Sequence, residues 1–414
     1  MIESFSGPYD FIVTGASGKV GSRLIPLLAR EGQTVLAVGR DIDALRILFH
    51  DCADRITVTD YDGLGQLAAC DTMIHLAVRN NDEGGALANF VAINVDFAVH
   101  VGREFLRMNG KRFLNISSIL SLDDGDKSPY AVSKAMGSKR LREEIGERLD
   151  DIHIGYFHDG GYFGERLAIL QRFGPVLGGA LFALIKILKP ATSARSLANY
   201  ASGLADDLPS PAILTDDLSR SLIYRAITRT MDLGVATTIL IVLFPVFVAL
   251  WVAIRLDSPG PAIFAQERVG VAQTPFTLYK FRTMTLGTVS AGTHEISASA
   301  VTKIGKFLRR TKLDELPQAF NLLRGNMTLV GPRPCLFSQI ELVNARQARG
   351  VYALKPGITG YAQIREIDMS EPERLAQSDY LYMKLRSLLL DIRIILATAL
   401  GRGAGDRVAT PAET

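Results

Sequence analysis

The sequence predicts an α/β chain in two parts, a doubly wound parallel sheet followed by a membrane-associated second half. Three observations carry this. A glycine-spaced turn, TGASGKVG from Thr14 to Gly21, stands between an apolar strand and a helix. Short apolar strands then alternate with helical stretches as far as Ser118. Further on, Leu233 to Ile254 runs for 22 residues without a charge. At 414 residues, two domains are the natural expectation. Composition places them at 1–205 and 223–402, with a Pro- and Asp-marked linker over 206–222 and a flexible tail over 403–414.

The first strand covers Phe11 to Thr14, a helix Arg23 to Arg30, and a second strand Thr34 to Val38. Glycines at 15, 18 and 21 let the backbone approach a pyrophosphate at the helix N-terminus. Gly15, Ser17, Gly18, Val20 and Gly21 are therefore the predicted cofactor turn of a Rossmann-type domain. The second strand ends at Gly39-Arg40-Asp41, where a ribose is read. Arg40 suits a 2′-phosphate and Asp41 a ribose hydroxyl, which leaves NAD and NADP both open. Strands at Ile56 to Val58, Met73 to Ala77 and Arg112 to Ser117 continue the alternation, with Asn94 in a helical stretch before the last.

Tyr130 and Lys134 stand four apart on a helix in SPYAVSK, downstream of Ser117-Ser118. A tyrosine whose pKa is lowered by a nearby lysine exchanges a proton with a sugar hydroxyl, and Ser118 is placed to hold the substrate oxygen. With the glycine turn and His75-Leu76-Ala77, this half resembles the short-chain dehydrogenase superfamily in its NAD-dependent epimerase/dehydratase branch. It departs from that pattern at Tyr156-Phe157-His158-Asp159-Gly160-Gly161, where an Arg-Pro turn is usual. The stretch from Tyr130 to the linker is also short for a full substrate lobe. Two roles stay open for the domain, a sugar-nucleotide-modifying enzyme and a cofactor-binding structural or regulatory unit. Leu177 to Leu188 is too short to span a bilayer and reads as a core or interfacial helix.

Composition excludes several classes. Net charge is +3, so nothing points to nucleic acid. Three separated cysteines argue against a disulfide framework and for a reducing compartment. The six histidines lack metal-ligand spacing, and His294-Glu295 has no second histidine to make a zinc helix. Met1 to Pro8 is polar and short, unlike a signal peptide. A hydrophobic fraction of 48% and a mean hydropathy of +0.17 are high for a wholly soluble protein.

The charge-free segment accounts for this. As one helix it would measure about 33 Å, enough to cross a ~30 Å hydrocarbon core. Its Leu, Ile, Val and Phe residues contribute roughly −4 to −8 kcal/mol to insertion, against about 3 kcal/mol lost to Pro245 as a helix breaker. Insertion wins and a kink is expected. Arg225 and Arg229 flank one end, and Arg255, Arg268, Lys280 and Arg282 follow the other, so both ends read as cytoplasmic. A helix bent at Pro245 and returning to its own face satisfies both flanks; a plain spanning helix is the alternative.

The stretch RRTKLDELPQAFNLLRGNMTLVGPRP, Arg309 to Pro334, centres on Asp314-Glu315. Apolar residues at Leu313, Leu316, Phe320 and Leu323 predict a helix with Asp314 as N-cap and Pro317 in its first turn. The acid pair would lie at the positive helix end. Lys280 and Arg282 share one predicted strand face, suited to a diphosphate, and Arg333 is fixed between two prolines. Gly287 to Ser299 reads as a mobile loop.

LDELPQ, NLLRGNM and VGPRP in this order, with RLDSPGPAIFAQERVG, YKFRTM and KPGITGYAQ, closely resemble the bacterial sugar transferase family, the monotopic phosphoglycosyl transferases, from about Tyr224 to Leu400. Phe244-Pro245 stands where that family has Ser-Pro, and Ile364-Arg365-Glu366 where it often has Asn-Gly-Arg, which leaves the sugar open. The resemblance implies a small α+β catalytic domain, a re-entrant membrane helix over 233–254 and interfacial helices near Tyr380 to Leu400, with both domains on the cytoplasmic face of the inner membrane. It implies double displacement, with Asp314 attacking a nucleotide-diphosphate sugar and a polyprenyl phosphate taking the phosphosugar. Glu315 would hold Mg2+, and Lys280, Arg282, Arg309, Arg333 and Lys355 would bind phosphates. The partners it brings are those two substrates, membrane lipid, a second copy of the chain and downstream glycosyltransferases. The contrasting reading is a membrane-anchored NAD(P)-dependent epimerase whose second half is only an anchor.

Overall fold

The computed structural model describes residues 9–67, 69–123, 125–159, 174–205, 208–285 and 300–402. The chain divides into two compact units, Met1–Asp216 and Asp217–Thr414.

In the first unit, β1 (Phe11–Thr14) and β2 (Val35–Val38) are apolar runs buried along their whole length, as strands covered on both faces must be. They join β3 (Ile56–Thr59), β4 (Thr72–His75), β5 (Arg112–Ser118), β6 (Leu149–Ile154) and β9 (Ala212–Leu214) in one sheet, ordered β3-β2-β1-β4-β5-β6-β9. Every pairing in it is parallel. The order reverses between β1 and β4, and the glycine turn leaves β1 at that point, where a doubly wound sheet opens a crevice. Helix α1 (Gly21–Arg30) closes one face with Leu24, Ile25 and Leu28, and α2 (Ile42–Leu48) follows β2. Helices α3 (Ala98–Arg107) and α4 (Pro129–Ile145) pack on the other, around Phe105, Phe113 and Leu141. A small parallel pair, β7 (Tyr156–His158) and β8 (Ala191–Ser193), lies apart, with α5 (Gly174–Leu188) between them in sequence.

The expected linker is corrected here. Within 206–222, Ile213 and Leu214 are buried and Ala212–Leu214 forms the seventh strand, so the prolines and acids around it bracket an edge strand. Residues 206–207, like Gly160 and Gly161 of the departure noted above, lie outside the described residues.

The second unit opens with α6 (Leu222–Val242) and α7 (Phe244–Asp257), bent by 64° to each other. Among the described residues no single helix is long and apolar enough to cross a membrane, and these two pass that test only together. The break falls at Leu243, two residues before Pro245, because a proline without an N–H is tolerated in the first turn of the following helix. A hairpin of β10 (Ile263–Val269) and β11 (Pro275–Phe281) follows. After it come α8 (Lys303–Thr311), a 3₁₀ segment Leu313–Gln318, and α9 (Ala319–Arg324). Strands β12 (Thr328–Val330) and β13 (Gly357–Thr359) pair in parallel, with α10 (Ile340–Ala348) between them in sequence. Gly287 to Ser299 and the tail 403–414 lie outside the described residues.

The apolar stretch Tyr380 to Leu400 is two elements, α11 (Pro372–Leu385) and α12 (Leu388–Ala399), with Ser387 capping the second through Leu390 N–H at 3.3 Å. Asp391 does not belong to a solvated face. It is buried and accepts from Tyr224 at 2.5 Å and Tyr382 at 2.7 Å, which ties α12 to the start of α6.

Candidate active sites

In the first unit the glycine turn separates packing demands from other demands. Gly15 has φ +71°, and a Cβ there would lie 2.5 Å from Ala77 N; one on Gly21 would lie 2.6 Å from Ala16 O. The strand–turn–helix packing therefore fixes both as glycine. Gly18 differs, because a Cβ on it would meet only Gly15 O, at 3.1 Å. Its own fold asks little of position 18, so the turn offers an open approach where a pyrophosphate would rest. The residues present thus fit a dinucleotide. Arg40 is exposed at the end of β2, while Asp41 Oδ1 accepts from Ala44 N–H at 3.0 Å and caps α2.

Tyr130 hydrogen-bonds Ser118 and shares helix α4 with Lys134, but the electrostatics differ from the expectation. Burial raises the Tyr130 phenol above its ordinary value, although its hydrogen bond with Ser118 opposes this. Burial also lowers Lys134, to about 8. Its Nζ donates to Ile116 O at 2.9 Å, so it lies under the sheet end. The tyrosine is held protonated in this state. Sequence reasoning passed over Asn94 beyond its place in a helix. Its amide is buried, donates to Ser133 Oγ at 2.9 Å and accepts from Arg79 N–H at 2.8 Å, across a π-helical turn.

In the second unit Asp314 is not the N-cap. Lys312, in the left-handed region at φ +57°, begins the helical stretch, and Asp314 sits inside its 3₁₀ turn. Positions 313–318 wind tighter than an α-helix, and the apolar period cannot distinguish the two over one turn. Burial, the largest influence, raises the Asp314 carboxyl to about 6; Lys280 and Arg309 pull it down, and Glu315 pushes it up. Glu315 Oε1 accepts from Lys280 Nζ at 2.9 Å and lies 3.5 Å from Arg333. Arg309 Nε donates to Thr283 Oγ1 at 3.0 Å. Lys280, Arg309 and Arg333 therefore gather from three separate segments around one acid pair.

Two predicted phosphate ligands go elsewhere. Arg282 is 5% exposed. It donates to the carbonyls of Ser258 and Pro259, both at 2.7 Å, and closes the end of α7. Arg282 N–H donates to Ala262 O, one step beyond the Ile263–Phe281 pair, so the ladder runs on to this residue and its side chain is taken up by the carbonyls that close α7. Lys355 stands beside Arg229. A Cβ on Gly325 would lie 3.7 Å from Lys355 Nζ and 3.6 Å from Arg229 Nη1. That is the far end of the helical stretch that carries Asp314.

The VGPRP and KPGITG segments lie backbone to backbone. A Cβ on Gly331 would be 2.3 Å from Lys355 O, and one on Gly357 2.1 Å from Gly331 N. Arg346, itself paired with Asp379 at 2.7 Å and 2% exposed, donates to Arg333 O at 2.9 Å. This holds the Arg333 turn from beneath, and no spacing in the sequence announces it. Among the described residues no cluster of three His, Cys, Asp or Glu side chains is assembled for a metal. Mg2+ needs only one or two carboxylates when a diphosphate supplies other oxygens, so Glu315 beside Asp314 fits that demand.

The molecule is therefore a two-unit chain, a dinucleotide-type α/β sheet followed by a compact unit built round a half-buried acid pair faced by three cations. Residues 223–402 match the family model described as bacterial sugar transferase, and residues 11–148 that of the NAD dependent epimerase/dehydratase family. Over 201 residues the chain is 38% identical to the UDP-glucose:undecaprenyl-phosphate glucose-1-phosphate transferase of Escherichia coli (strain K12), covering 45% of this chain and 42% of that protein. It is 39% identical over 175 residues to an uncharacterized sugar transferase, EpsL, of Bacillus subtilis (strain 168), covering 41% of this chain and 84% of that one. The chain belongs to the bacterial sugar transferase family, and its first half is a fused domain of the epimerase/dehydratase type. It spans less than half the length of the Escherichia coli relative. Among solved structures, WbmG of Bordetella bronchiseptica in complex with NAD and UDP aligns at 15% identity and a TM-score of 0.39, over 52% of this chain and 75% of that one, a likeness too distant to speak for ligand or activity.

Proposed function

We propose that this protein is a phosphoglycosyl transferase that moves a phosphosugar from a UDP-sugar to undecaprenyl or a similar polyprenyl phosphate, initiating a surface glycan. The observation that carries this is the half-buried Asp314 beside Glu315, Lys280 and Arg309. Relatives named as UDP-sugar and undecaprenyl-phosphate transferases support the substrate class. Ionised Asp314 attacks the phosphorus nearest the sugar. The bond from that phosphorus to the oxygen of the nucleoside monophosphate breaks, and a sugar-phosphoryl aspartate remains. A polyprenyl phosphate oxygen then attacks the same phosphorus and frees Asp314. Lys280, Arg309 and Arg333 steady the phosphate oxygens. When bound, Mg2+ neutralises the diphosphate, and Glu315 is the residue that would hold it.

The first unit binds NAD or NADP on its glycine turn, and acts on a nucleotide sugar or senses the cofactor. The bent pair α6–α7 enters the bilayer and returns to the cytoplasmic face, supported by its 64° break and by basic residues on both flanks. Pro245→Leu should restore an unbroken helix and partly invert the protein, with loss of activity. Single cysteines at 225 and 268, labelled with an impermeant thiol reagent, check the topology; labelling of either from outside intact cells overturns the re-entrant reading. The function itself is tested by incubating membranes with a panel of nucleotide sugars and undecaprenyl phosphate. Transfer of labelled phosphosugar into lipid is expected. Alteration of the nucleotide sugar with no lipid product would favour the anchored-epimerase reading.

A further inference from the structure

Among the described residues, strand β11 has one edge paired to β10 and one edge that meets no other strand. On that second edge Thr277 presents a carbonyl and Tyr279 an N–H. Asn321 of α9, whose side chain is 0% exposed, answers both. Its Nδ2 donates to Thr277 O at 2.7 Å, and its Oδ1 accepts from Tyr279 N–H at 3.1 Å. A primary amide offers one donor and one acceptor at the spacing of a peptide group, so this side chain substitutes for a neighbouring strand. Arg324, three residues on, lies 5.1 Å over the Tyr279 ring and holds the same place.

Tyr279 is bonded directly to Lys280, whose Nζ reaches Glu315 at 2.9 Å. Asn321 itself follows Asp314 on the same continuous helical stretch. One buried amide therefore joins the strand that carries the cation to the helix that carries the acid pair. We infer that Asn321 is a positioning residue: it sets the distance from Lys280 to Glu315 and Asp314, and so aligns the cation with the phosphate that Asp314 attacks. This rests on the transferase reading above. Neither Asp, when ionised, nor Leu can serve, since each lacks the donor that Thr277 O requires.

The test compares full-length wild type with Asn321→Leu, Asn321→Asp, Lys280→Ala and the Asn321→Leu/Lys280→Ala double variant, all in membranes. A displacement of about 1 Å at a reacting centre costs on the order of a hundredfold, so Asn321→Leu should lower kcat by about ten- to a hundredfold, with a smaller change in KM for the nucleotide sugar. The double variant should be no slower than Lys280→Ala alone. Asn321→Asp regains a donor when its carboxyl is protonated. Its activity relative to wild type should therefore rise as pH is lowered from 8 toward 6, while the Asn321→Leu ratio stays flat. Losses that multiply in the double variant, or wild-type kcat in folded Asn321→Leu, would overturn the assignment. If Asn321→Leu does not fold, the pH ratio of Asn321→Asp decides alone. Hydrogen exchange over residues 276–282 separates this idea from the function: the Tyr279 amide should exchange slowly in wild type and quickly in Asn321→Leu even if no nucleotide sugar proves to be a substrate.

Discussion

The two units treat a site lysine in opposite ways. Lys134 in the first unit is 5% exposed, donates to a backbone carbonyl, and is lowered to about 8 by burial. Lys280 in the second keeps a carboxylate partner, Glu315, at 2.9 Å, with both side chains 21% exposed. The first arrangement is a proton site: a neutral tyrosine and a lysine near its own titration range. The second is a charge site. Its cations outnumber the acids they face, and the group out of balance is Asp314, held near 6. A catalytic pKa near working pH suits a nucleophile that must be ionised yet not over-stabilised. The contrast predicts that the first unit responds to cofactor and the second to anionic ligand and metal.

The largest expected effect comes from removing the unbalanced group. Asp314→Asn should cut lipid labelling by on the order of 10⁴-fold or more, because an amide is no nucleophile. The same change should stabilise the fold. A carboxyl raised in the folded state is penalised when ionised; the penalty is full above about 6 and disappears below the ordinary value near 4. Thermal unfolding of the variant should therefore show a gain on the order of 1–2 kcal/mol at pH 7 that fades on acidification. Wild-type transfer should fall as pH drops through 6, since Asp314 then holds its proton. A variant that transfers normally removes Asp314 from the mechanism and leaves the second unit as an anchor.

Arg282 sharpens the comparison from inside the second unit, because it looks like a phosphate ligand and is not placed as one. Arg282→Met leaves the carbonyls of Ser258 and Pro259 without a donor and should cost on the order of 2–4 kcal/mol of stability. KM for the nucleotide sugar in the protein that folds should stay at the wild-type value. A rise in KM with unchanged unfolding temperature would return Arg282 to the binding site.

The smallest effect on the fold is expected at Gly18. Gly18→Val should unfold at the wild-type temperature yet lose NAD(P) binding by calorimetry, whereas Gly15→Ala should destabilise the sheet, because its Cβ meets Ala77 backbone at 2.5 Å. No binding by wild type would leave the first unit without a cofactor role.

The sequence by itself determined the first five strands of the first unit, the glycine turn, the acid pair and the break near Pro245, while the edge strand Ala212–Leu214 was hidden in what looked like a linker. Each is a local matter, settled by a period of two or of 3.6 residues, by punctuation, or by the missing N–H of one proline. Its local rules also reached too far. Strand alternation made Arg282 a phosphate ligand beside Lys280, although its guanidinium is taken up by the carbonyls of Ser258 and Pro259, and the preference of Asp for caps put Asp314 one step outside a helix that had already begun at Leu313. Only the tertiary structure decided which cations meet the acid pair. Lys280, Arg309 and Arg333 come from different segments, and their meeting depends on buried groups that carry no pattern: Asn321 on the edge of β11, and Arg346 under Arg333. A polar residue inside an apolar helix period looks like an interruption in one dimension. Burial leaves its donors and acceptors no water to turn to, so their partners come from wherever the chain packs against them.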